Sequence, residues 1–183
     1  MSRVFGENIY YFITVPTLNK YKFFDNNSKK EIILNRILKV KDRFGLENLD
    51  YGINSNHYHL LSYFLDWKNI PEFLKFVNGG SSFELNKLED RQGRKIWDEY
   101  HLYWINDESV LYKIRGYVIG NPYKHNEVNS LEDLFLYKFS SFNNVASDIG
   151  LEEAKKMVLS CINLNFNDFK KEVEKIKKII NLD

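Results

Sequence analysis

The sequence contains very little cysteine and proline. Its 183 residues include one cysteine and three prolines. A single cysteine excludes a disulfide within the chain and a zinc cluster of several thiolates, and it suits a reducing cytoplasm. Long hydrophobic runs are missing as well. Residues 9–15 form the one apolar run near the N-terminus, which has strand length, so we expect a cytoplasmic protein with no membrane segment.

The sequence also has no excess of charge of either sign. Twenty-six lysines and arginines nearly balance twenty-five acidic residues, which leaves a net charge of +1. Overall charge therefore neither indicates nor excludes a nucleic-acid partner, which a local basic surface could still bind. Hydrophobic residues make up 44% of the chain and aromatic residues 16%. This composition excludes a disordered chain, and the length predicts one domain with a sizeable core.

The first 105 residues alternate between strand and helix patterns. The predicted elements are a strand over 9–15, a helix capped by Ser28, strands over 49–53 and 57–65, a helix over 69–78 interrupted at Gly79-Gly80 with a second segment to Leu88, and a strand over 96–105. This order predicts an α+β fold, the ferredoxin-like split βαβ sandwich. Its four-stranded antiparallel sheet carries helices on one face.

A further helix follows the fourth predicted strand. It is capped by Asn106 or Asp107 and is expected to stop at Pro122. An irregular stretch then continues to about Ser147, and two helices over 150–161 and 165–181 close the chain. The sequence therefore predicts a main domain over 1–147 and a helical extension over 148–183 that packs on it.

Two histidines separated by one residue begin the third predicted strand. Side chains alternate along a strand, so His57 and His59 share one face while Tyr58 points to the other. Neutral imidazole binds divalent metals, and two such ligands leave positions open for a third protein group and a substrate oxygen. A pair of this kind is more often two half-exposed histidines than a metal site. The pair alone leaves both interpretations open.

The helix after the fourth strand carries a second group of polar residues. Lys113, Tyr117 and Asn121 follow one another at four-residue spacing, so they lie on one side of the helix. The chain has twelve tyrosines, most of which must be packing residues. Tyr112 and Tyr123 are rival nucleophiles on the same segment, but neither has an amide one helical turn onward.

These motifs together resemble a known family. They are Asn56-His57-Tyr58-His59-Leu60-Leu61, the segment Gly93 to Trp97, Tyr117-Val118-Ile119-Gly120-Asn121-Pro122, and Phe139-Ser140-Ser141. In this order and spacing they resemble the HUH single-tyrosine (Y1) transposases of the IS200-like superfamily. Within that superfamily the sequence is most similar to the REP-associated tyrosine transposases. The resemblance spans about Ile9 to Phe142.

The resemblance implies a metal-dependent endonuclease and strand transferase that acts on single-stranded DNA beside hairpins. Tyr117 would attack a phosphodiester to give a 5′-phosphotyrosine and a 3′-hydroxyl. His57, His59 and Asn121 would hold Mg or Mn. A phenol, with a pKa near 10, needs a metal or another cation close by to react as phenolate at neutral pH.

The sequence departs from the family pattern in several places. Tyr58 is bulkier than the aliphatic residue usual between the histidines. Asn121 precedes a proline, which predicts a frayed helix end. Gly116 and Gly120 weaken the helix, which would suit a mobile catalytic segment but could equally mark decay of the site. Candidate DNA-binding residues are cations in loops, at strand ends and on the tyrosine helix: Lys20, Lys22, Arg91, Arg94, Lys95, Lys113 and Lys124.

Three other functions agree with parts of the sequence. A replication-initiation or relaxase-type nickase would use the same chemistry, usually within a larger chain. A domesticated hairpin-binding protein would have lost cleavage. A structural metal module would unfold on chelation, whereas the enzyme would lose only cleavage. Relatives of IS200 type form dimers with exchanged helices, but the C-terminal helices here could cover that surface, so we expect a monomer.

Overall fold

The computed structural model describes residues 9–164. Its strands are β1 (Tyr10–Pro16), β2 (Leu46–Ile53), β3 (His57–Phe64) and β4 (His101–Ile105). Its helices are α1 (Asn27–Val40), α2 (Ile70–Leu88), α3 (Glu108–Lys124), α4 (Leu131–Leu136), α5 (Phe142–Ile149) and α6 (Leu151–Cys161). The helix predicted over 165–181 lies outside the described residues.

The four strands form one sheet in the order β2-β3-β1-β4, with antiparallel neighbours throughout. This is the strand order of the split βαβ fold, so the predicted fold class is confirmed. In the β1–β3 register Thr14 lies opposite His59 and Phe12 lies opposite Leu61. Side chains on one strand alternate between the faces, so each of these pairs shares a face.

The face of the sheet that carries Ile13, Tyr58 and Leu60 packs against α1 and α2. These three side chains are fully buried in one apolar cluster, together with residues such as Ile33 of α1 and Phe73 of α2. Tyr58 fits here despite its size because its hydroxyl donates to Asn78 Oδ1 at 2.6 Å. The face is therefore an apolar core in which the Tyr58 hydroxyl has a hydrogen-bond partner.

The helix α2 is continuous through Gly79 and Gly80, so the predicted break is wrong. A Cβ atom at Gly80 would lie 2.6 Å from the guanidinium carbon of Arg36, a residue of α1. The glycine thus allows a side chain of α1 to cross α2 closely. This tertiary packing offsets the roughly 1 kcal/mol by which a helical glycine falls short of alanine.

The opposite face of the sheet packs against α3. Phe12 and Leu61 contact Ile114, Tyr117 and Val118 in a second cluster of buried side chains. On its other side α3 contacts α6. Here Gly116 and Gly120 have a packing role that the sequence analysis did not anticipate. A Cβ at either glycine would lie 2.6 Å from an atom of α6, the Met157 carbonyl oxygen or Val158 Cγ1 respectively.

The helix α3 continues two residues beyond Pro122, so the predicted stop there is wrong. Proline has no N–H to donate to the Val118 carbonyl. That carbonyl oxygen lies against β2, where a Cβ at Gly52 would be only 2.3 Å from it. The next carbonyl, that of Ile119, accepts a hydrogen bond from Ser140 Oγ at 2.7 Å. Close packing and a side-chain donor therefore carry the helix through the proline.

The sequence predicts an irregular stretch before Ser147, but this stretch contains α4 and α5, so the prediction is wrong. Between them the Phe139-Ser140-Ser141 segment runs along β2. Ile53 N donates to Phe139 O at 2.8 Å, and Ser141 N donates to Tyr51 O at 3.0 Å. The segment links β2 to α3. The fourth strand is also shorter than predicted, since β4 begins only at His101.

Candidate active site

His57 and His59 lie side by side on the face of β3 that meets α3. Their ring centroids are 4.9 Å apart, which confirms that they share a face. The turn of residues 54–56 precedes them, and α3 brings Tyr117 and Asn121 over them. The site is therefore assembled where β3 begins and α3 ends.

The hydrogen bonds of His57 define which ring nitrogen carries its proton. The Asn56 amide nitrogen donates to the Lys20 carbonyl at 3.2 Å, which leaves Asn56 Oδ1 facing His57 Nδ1 at 2.7 Å. An oxygen acceptor there requires a proton on Nδ1. The Nε2 atom consequently keeps its lone pair, which is the form of imidazole that binds metals.

Asn121 is buried in the body of α3 and presents its oxygen to His57. Its Oδ1 accepts a hydrogen bond from Asn54 Nδ2 at 2.7 Å and lies 2.8 Å from His57 Nε2. Two atoms with lone pairs thus face each other. Neighbouring ligands of Mg²⁺ in octahedral coordination are separated by roughly 3 Å. The frayed end predicted for Asn121 is wrong, because the helix continues past it and Asn121 is 0% exposed.

His59 has one nitrogen held and one nitrogen without a partner. Its Nδ1 lies 2.9 Å from the hydroxyl oxygen of Thr14 on β1. Its Nε2 is buried and has no hydrogen-bond partner among residues 9–164. A buried polar atom left in this way typically destabilises a fold by about 1–3 kcal/mol. The donor set of two imidazole nitrogens and an amide oxygen therefore fits a divalent cation, which would bind Nε2 of His59.

Tyr117 lies beside the histidine pair. Its ring packs edge-on against His59 with centroids 5.2 Å apart, and the Lys124 ammonium is 5.0 Å from the ring centroid. Burial raises the pKa of Tyr117, while a hydrogen bond with Asn121 acts in the opposite direction. The phenol is therefore protonated at neutral pH. The rival Tyr112 instead donates to Glu153 Oε1 of α6 at 3.0 Å, outside the site.

A cavity of about 250 Å³ opens over these groups. Its walls come from β1, β3, α3 and the loops beside them, and consist of Thr14, Pro16, Lys20, Asn56, His57, His59, Tyr117 and His125. Sequence reasoning did not single out His125. No motif marks this residue. It reaches the cavity because α3 continues to Lys124, which places His125 at the end of the helix.

The histidines around the cavity are neutral at neutral pH. Burial, with a smaller contribution from the nearby His125 charge, lowers the pKa of His57 to about 4. Burial and then His57 hold the pKa of His59 well below its usual value. Burial and Lys124 also lower the pKa of His125. Neutral imidazoles are the metal-binding form.

The turn before His57 is fixed by Glu127, a second residue that sequence reasoning missed. Glu127 Oε1 accepts hydrogen bonds from Ser55 N at 2.8 Å and from Ser55 Oγ at 2.7 Å. Its other oxygen pairs with the Lys30 ammonium at 2.6 Å. Burial would raise the pKa of Glu127, but Lys30 and Ser55 outweigh it and lower the pKa. Glu127 thus stays charged and fixes the turn that carries Asn54 and Asn56.

The candidate DNA-binding cations occupy different environments. Lys20 lines the cavity. Arg94 pairs with Glu89 and donates to Asn86 Oδ1 at 3.1 Å. Lys124 donates to the Leu164 carbonyl as well as lying over the Tyr117 ring. The remaining four, Lys22, Arg91, Lys95 and Lys113, are exposed and do not line the cavity.

In the part of the chain that the structure describes, no group of three or more histidine, cysteine, aspartate or glutamate side chains could hold a metal ion. A metal at this site would therefore depend on the Asn121 amide as well as on His57 and His59. No helix within residues 9–164 is long and apolar enough to cross a membrane.

Comparison with known proteins defines the class of protein to which this fold and site correspond. The family model of IS200-like transposases matches residues 6–121, more than half of the chain. The chain therefore belongs to the IS200-like transposase family. By family membership, its function is that of a transposase. A search among curated proteins gives no match.

Two solved structures are similar to the chain. A REP-associated tyrosine transposase, solved bound to a REP hairpin, is 17% identical with a TM-score of 0.59, and the match covers 82% of this chain and 86% of that one. This likeness supports the same fold. A protein from Deinococcus radiodurans R1 named as a transposase is also 17% identical, with a TM-score of 0.46 over 64% of this chain and 93% of that one.

Proposed function

We propose that the chain cleaves and rejoins single-stranded DNA beside hairpins, with Tyr117 as the nucleophile and a divalent metal held by His57, His59 and Asn121. The observation that carries the proposal is that His57, His59 and Tyr117 line one cavity, while the buried Asn121 Oδ1 lies only 2.8 Å from His57 Nε2. Membership of the transposase family supports the same reaction class.

The proposed reaction exchanges one phosphodiester for another. The bond from Tyr117 Oη to phosphorus forms while the bond from phosphorus to the 3′ oxygen breaks. The phenol loses its proton and the departing 3′ oxygen gains one, so the products are a 5′-phosphotyrosine and a 3′-hydroxyl. The reverse reaction rejoins DNA, since the phosphotyrosine retains a phosphodiester. No external energy source is required.

Mg²⁺ or Mn²⁺ bound by the two imidazoles and the amide would polarise the scissile phosphate. The chain's own contribution is to hold those ligands in position. Thr14 and Asn56 fix the ring orientations of His59 and His57, since a partner at the second ring nitrogen orients a metal-binding histidine. Lys124, 5.0 Å from the Tyr117 ring centroid, supplies a positive charge that favours loss of the phenol proton.

The proposed DNA partner is a single strand that flanks a hairpin. The structural relative that was solved with a REP hairpin supports this choice. Lys20 on the cavity wall is the candidate contact nearest the scissile phosphate. The exposed cations Lys22, Arg91 and Lys95 would contact phosphates farther from the cavity. Such contacts are sequence-independent and salt-dependent.

We propose further that the protein acts as a monomer, with Tyr117 attacking at its own histidine pair. Two observations support this: Tyr117 packs 5.2 Å from His59 of the same chain, and α6 covers the outer side of α3. Mixing the Tyr117→Phe protein with the His57→Ala protein should then restore no cleavage. Restored cleavage would show that the tyrosine acts on a partner's site.

Adduct formation tests the main proposal. The full chain is incubated with labelled single-stranded DNA that carries hairpins from the flanks of its own gene, with Mg²⁺ or Mn²⁺, and is run on a denaturing gel. We expect a covalent adduct that disappears in EDTA and in the Tyr117→Phe variant. The Tyr112→Phe variant is the matched control and should form the adduct normally.

Other outcomes would support different functions. Tight binding of the hairpin without an adduct under any metal would indicate a DNA-binding protein that has lost cleavage. An adduct that survives in Tyr117→Phe would overturn the nucleophile. Unfolding in EDTA, with no adduct before chelation, would indicate that the histidine pair binds a structural metal.

A further inference from the structure

We propose that His125 is a catalytic residue that donates a hydrogen bond to the phosphate group attacked by Tyr117. This inference rests on the proposed function and adds to it a residue outside the motifs. It also gives a chemical role to the one histidine of the cavity that is not a proposed metal ligand.

His125 stands at the mouth of the cavity that also contains Tyr117 and the histidine pair. Its ring packs edge-on against that of His57, with centroids 4.8 Å apart. Its backbone N–H donates to the Asn121 carbonyl at 3.1 Å, which ends α3. His125 thus follows directly on the helix that carries Tyr117 and Asn121, and its backbone is held to the last turn of that helix.

The ring nitrogens of His125 make no hydrogen bond to the residues that the structure describes. His57 and His59, by contrast, each hold one nitrogen on a neighbouring side chain, Asn56 and Thr14 respectively. His125 is also an exposed residue, while its ring borders the cavity. A fixed backbone with an uncommitted ring is what a group that contacts substrate requires.

A direct role for His125 in binding the metal does not fit the geometry. Although three histidines border the cavity, no group of three histidine, cysteine or acidic side chains within residues 9–164 could hold a metal ion. His57 Nε2 lies 2.8 Å from Asn121 Oδ1 and 3.1 Å from Asn54 Nδ2, and the His125 ring packs edge-on against the His57 ring. His125 is therefore placed to contact the substrate beside the metal ligands.

Phosphate oxygens are suitable partners for this ring. A neutral imidazole always has one N–H to donate, and the reacting phosphate carries its charge on oxygens that accept hydrogen bonds. Lys20 lines the cavity near the same mouth, so a phosphate bound over Tyr117 would have a cation and an N–H donor beside it. A prepositioned donor of this kind stabilises the charge of the transition state.

The test compares His125→Ala, His125→Asn and wild-type protein in single-turnover adduct formation with hairpin DNA. We expect His125→Ala to lower the rate about ten- to a hundredfold, since removing one such donor typically costs up to about a thousandfold. His125→Asn should recover part of the loss, because an amide can still donate. Asn129→Ala, an exposed substitution in the same loop, is the matched control and should leave the rate unchanged.

Two further measurements separate this role from a structural or metal-binding one. Hairpin affinity, melting temperature and the affinity for Mn²⁺ should be the same in His125→Ala as in wild type. DNA with sulfur in place of one non-bridging oxygen at the cleaved phosphate should react more slowly with wild type in one stereoisomer. The sulfur atom should slow His125→Ala less than wild type, because the variant lacks the imidazole N–H whose hydrogen bond to that oxygen the sulfur weakens.

The outcomes distinguish this inference from the proposed function. An adduct in wild type and an equal rate in His125→Ala would overturn the role of His125 alone. Loss of Mn²⁺ affinity in His125→Ala would overturn it in favour of a metal ligand. A wild-type protein that forms no adduct under any metal would overturn both proposals.

Discussion

The two faces of the sheet show how differently one strand can be used. On the α1/α2 face, Tyr58 and Leu60 of β3 are fully buried, and the Tyr58 hydroxyl has a partner in Asn78. On the α3 face, His59 of the same strand is equally deep, but its Nε2 has no partner among residues 9–164. The first face gives the Tyr58 hydroxyl a partner, and the other face leaves the His59 nitrogen without one.

This difference sets the α3 face apart as the face of the candidate site. An unpartnered buried nitrogen lowers the stability of the metal-free fold, so it persists where a function requires it. The same face holds the neighbouring lone pairs of His57 and Asn121. A cation could bind all three atoms and would give His59 Nε2 its missing partner. Both faces bury apolar side chains, but the α3 face also holds the candidate site, whose unpartnered nitrogen lowers stability.

The largest effect is expected from a comparison of one tyrosine on each face of the sheet. Tyr117→Phe on the α3 face should abolish the DNA adduct while the protein stays folded, because only the attacking oxygen is lost. Tyr58→Phe on the other face should keep the adduct and lower stability by about 1–2 kcal/mol, since it removes the buried hydrogen bond to Asn78. Adduct gels and urea unfolding measure the two effects. The reverse assignment, with cleavage lost in Tyr58→Phe and kept in Tyr117→Phe, would break the comparison.

Shortening a side chain on the α1/α2 face should affect stability alone. Leu60 is 0% exposed, so Leu60→Ala should lower the free energy of unfolding by about 2–5 kcal/mol through lost contacts and a new cavity. The rate of adduct formation per folded molecule should stay within about twofold of wild type. Urea unfolding and single-turnover kinetics at low temperature measure both. A folded Leu60→Ala protein with a hundredfold slower reaction would show that this face also supports the chemistry.

Glu127 connects the faces, and its substitution should affect both stability and activity. Glu127→Gln leaves the Lys30 ammonium, a 4% exposed residue, without its charged partner. We expect a loss of about 2–3 kcal/mol, toward the low end for a broken buried pair because Glu127 is partly exposed. Mn²⁺ affinity should fall as well, since the turn before His57 loosens. Lys138→Ala, which removes an exposed ion pair with Glu31, is the control. It should change neither the free energy of unfolding nor the Mn²⁺ affinity.

The buried histidines of the α3 face should make the metal-free protein sensitive to acid. Burial, together with His125, lowers the folded-state pKa of His57 to about 4, below the unfolded value near 6.5. Between these values the unfolded state binds more protons, so stability falls as the pH falls through that window. His57 alone should account for about 2 kcal/mol between pH 7 and pH 5. Urea unfolding in EDTA measures it.

The control for this pH dependence is His57→Gln. Its free energy of unfolding should fall less between pH 7 and pH 5 than that of wild type. Saturating Mn²⁺ should steepen the dependence, because the metal competes with protons for the imidazoles. Equal stability of metal-free wild type at both pH values would mean that the histidine pair is more solvated than its burial indicates.

Much of the fold follows from periodicity in the sequence. The alternation of His57, Tyr58 and His59 predicts the faces they occupy, and the strand and helix order predicts the sheet. The continuity of α2 through Gly80 and of α3 through Pro122 could not be predicted. Both depend on contacts with distant elements, the Arg36 side chain in one case and Gly52 with Ser140 in the other. Local propensity alone favours a break at each position.

The candidate site follows the same division. The motif spacing predicts His57, His59, Tyr117 and Asn121 as candidates, and the structure brings these four side chains together. Glu127 and His125 could not be found, since they lie after α3 in a loop without periodic pattern and reach the site only through the folded chain. Their partners, Ser55 and His57, are about seventy residues away in sequence.

The most direct test of the comparison is the free energy of unfolding of the His59→Leu variant, measured with and without Mn²⁺. If the unpartnered nitrogen is present for the metal, the metal-free variant should be at least as stable as metal-free wild type, because an apolar side chain fits a buried site. Mn²⁺ should stabilise wild type and have no effect on the variant. A variant that is much less stable without metal, or that Mn²⁺ stabilises as much as wild type, would contradict the account.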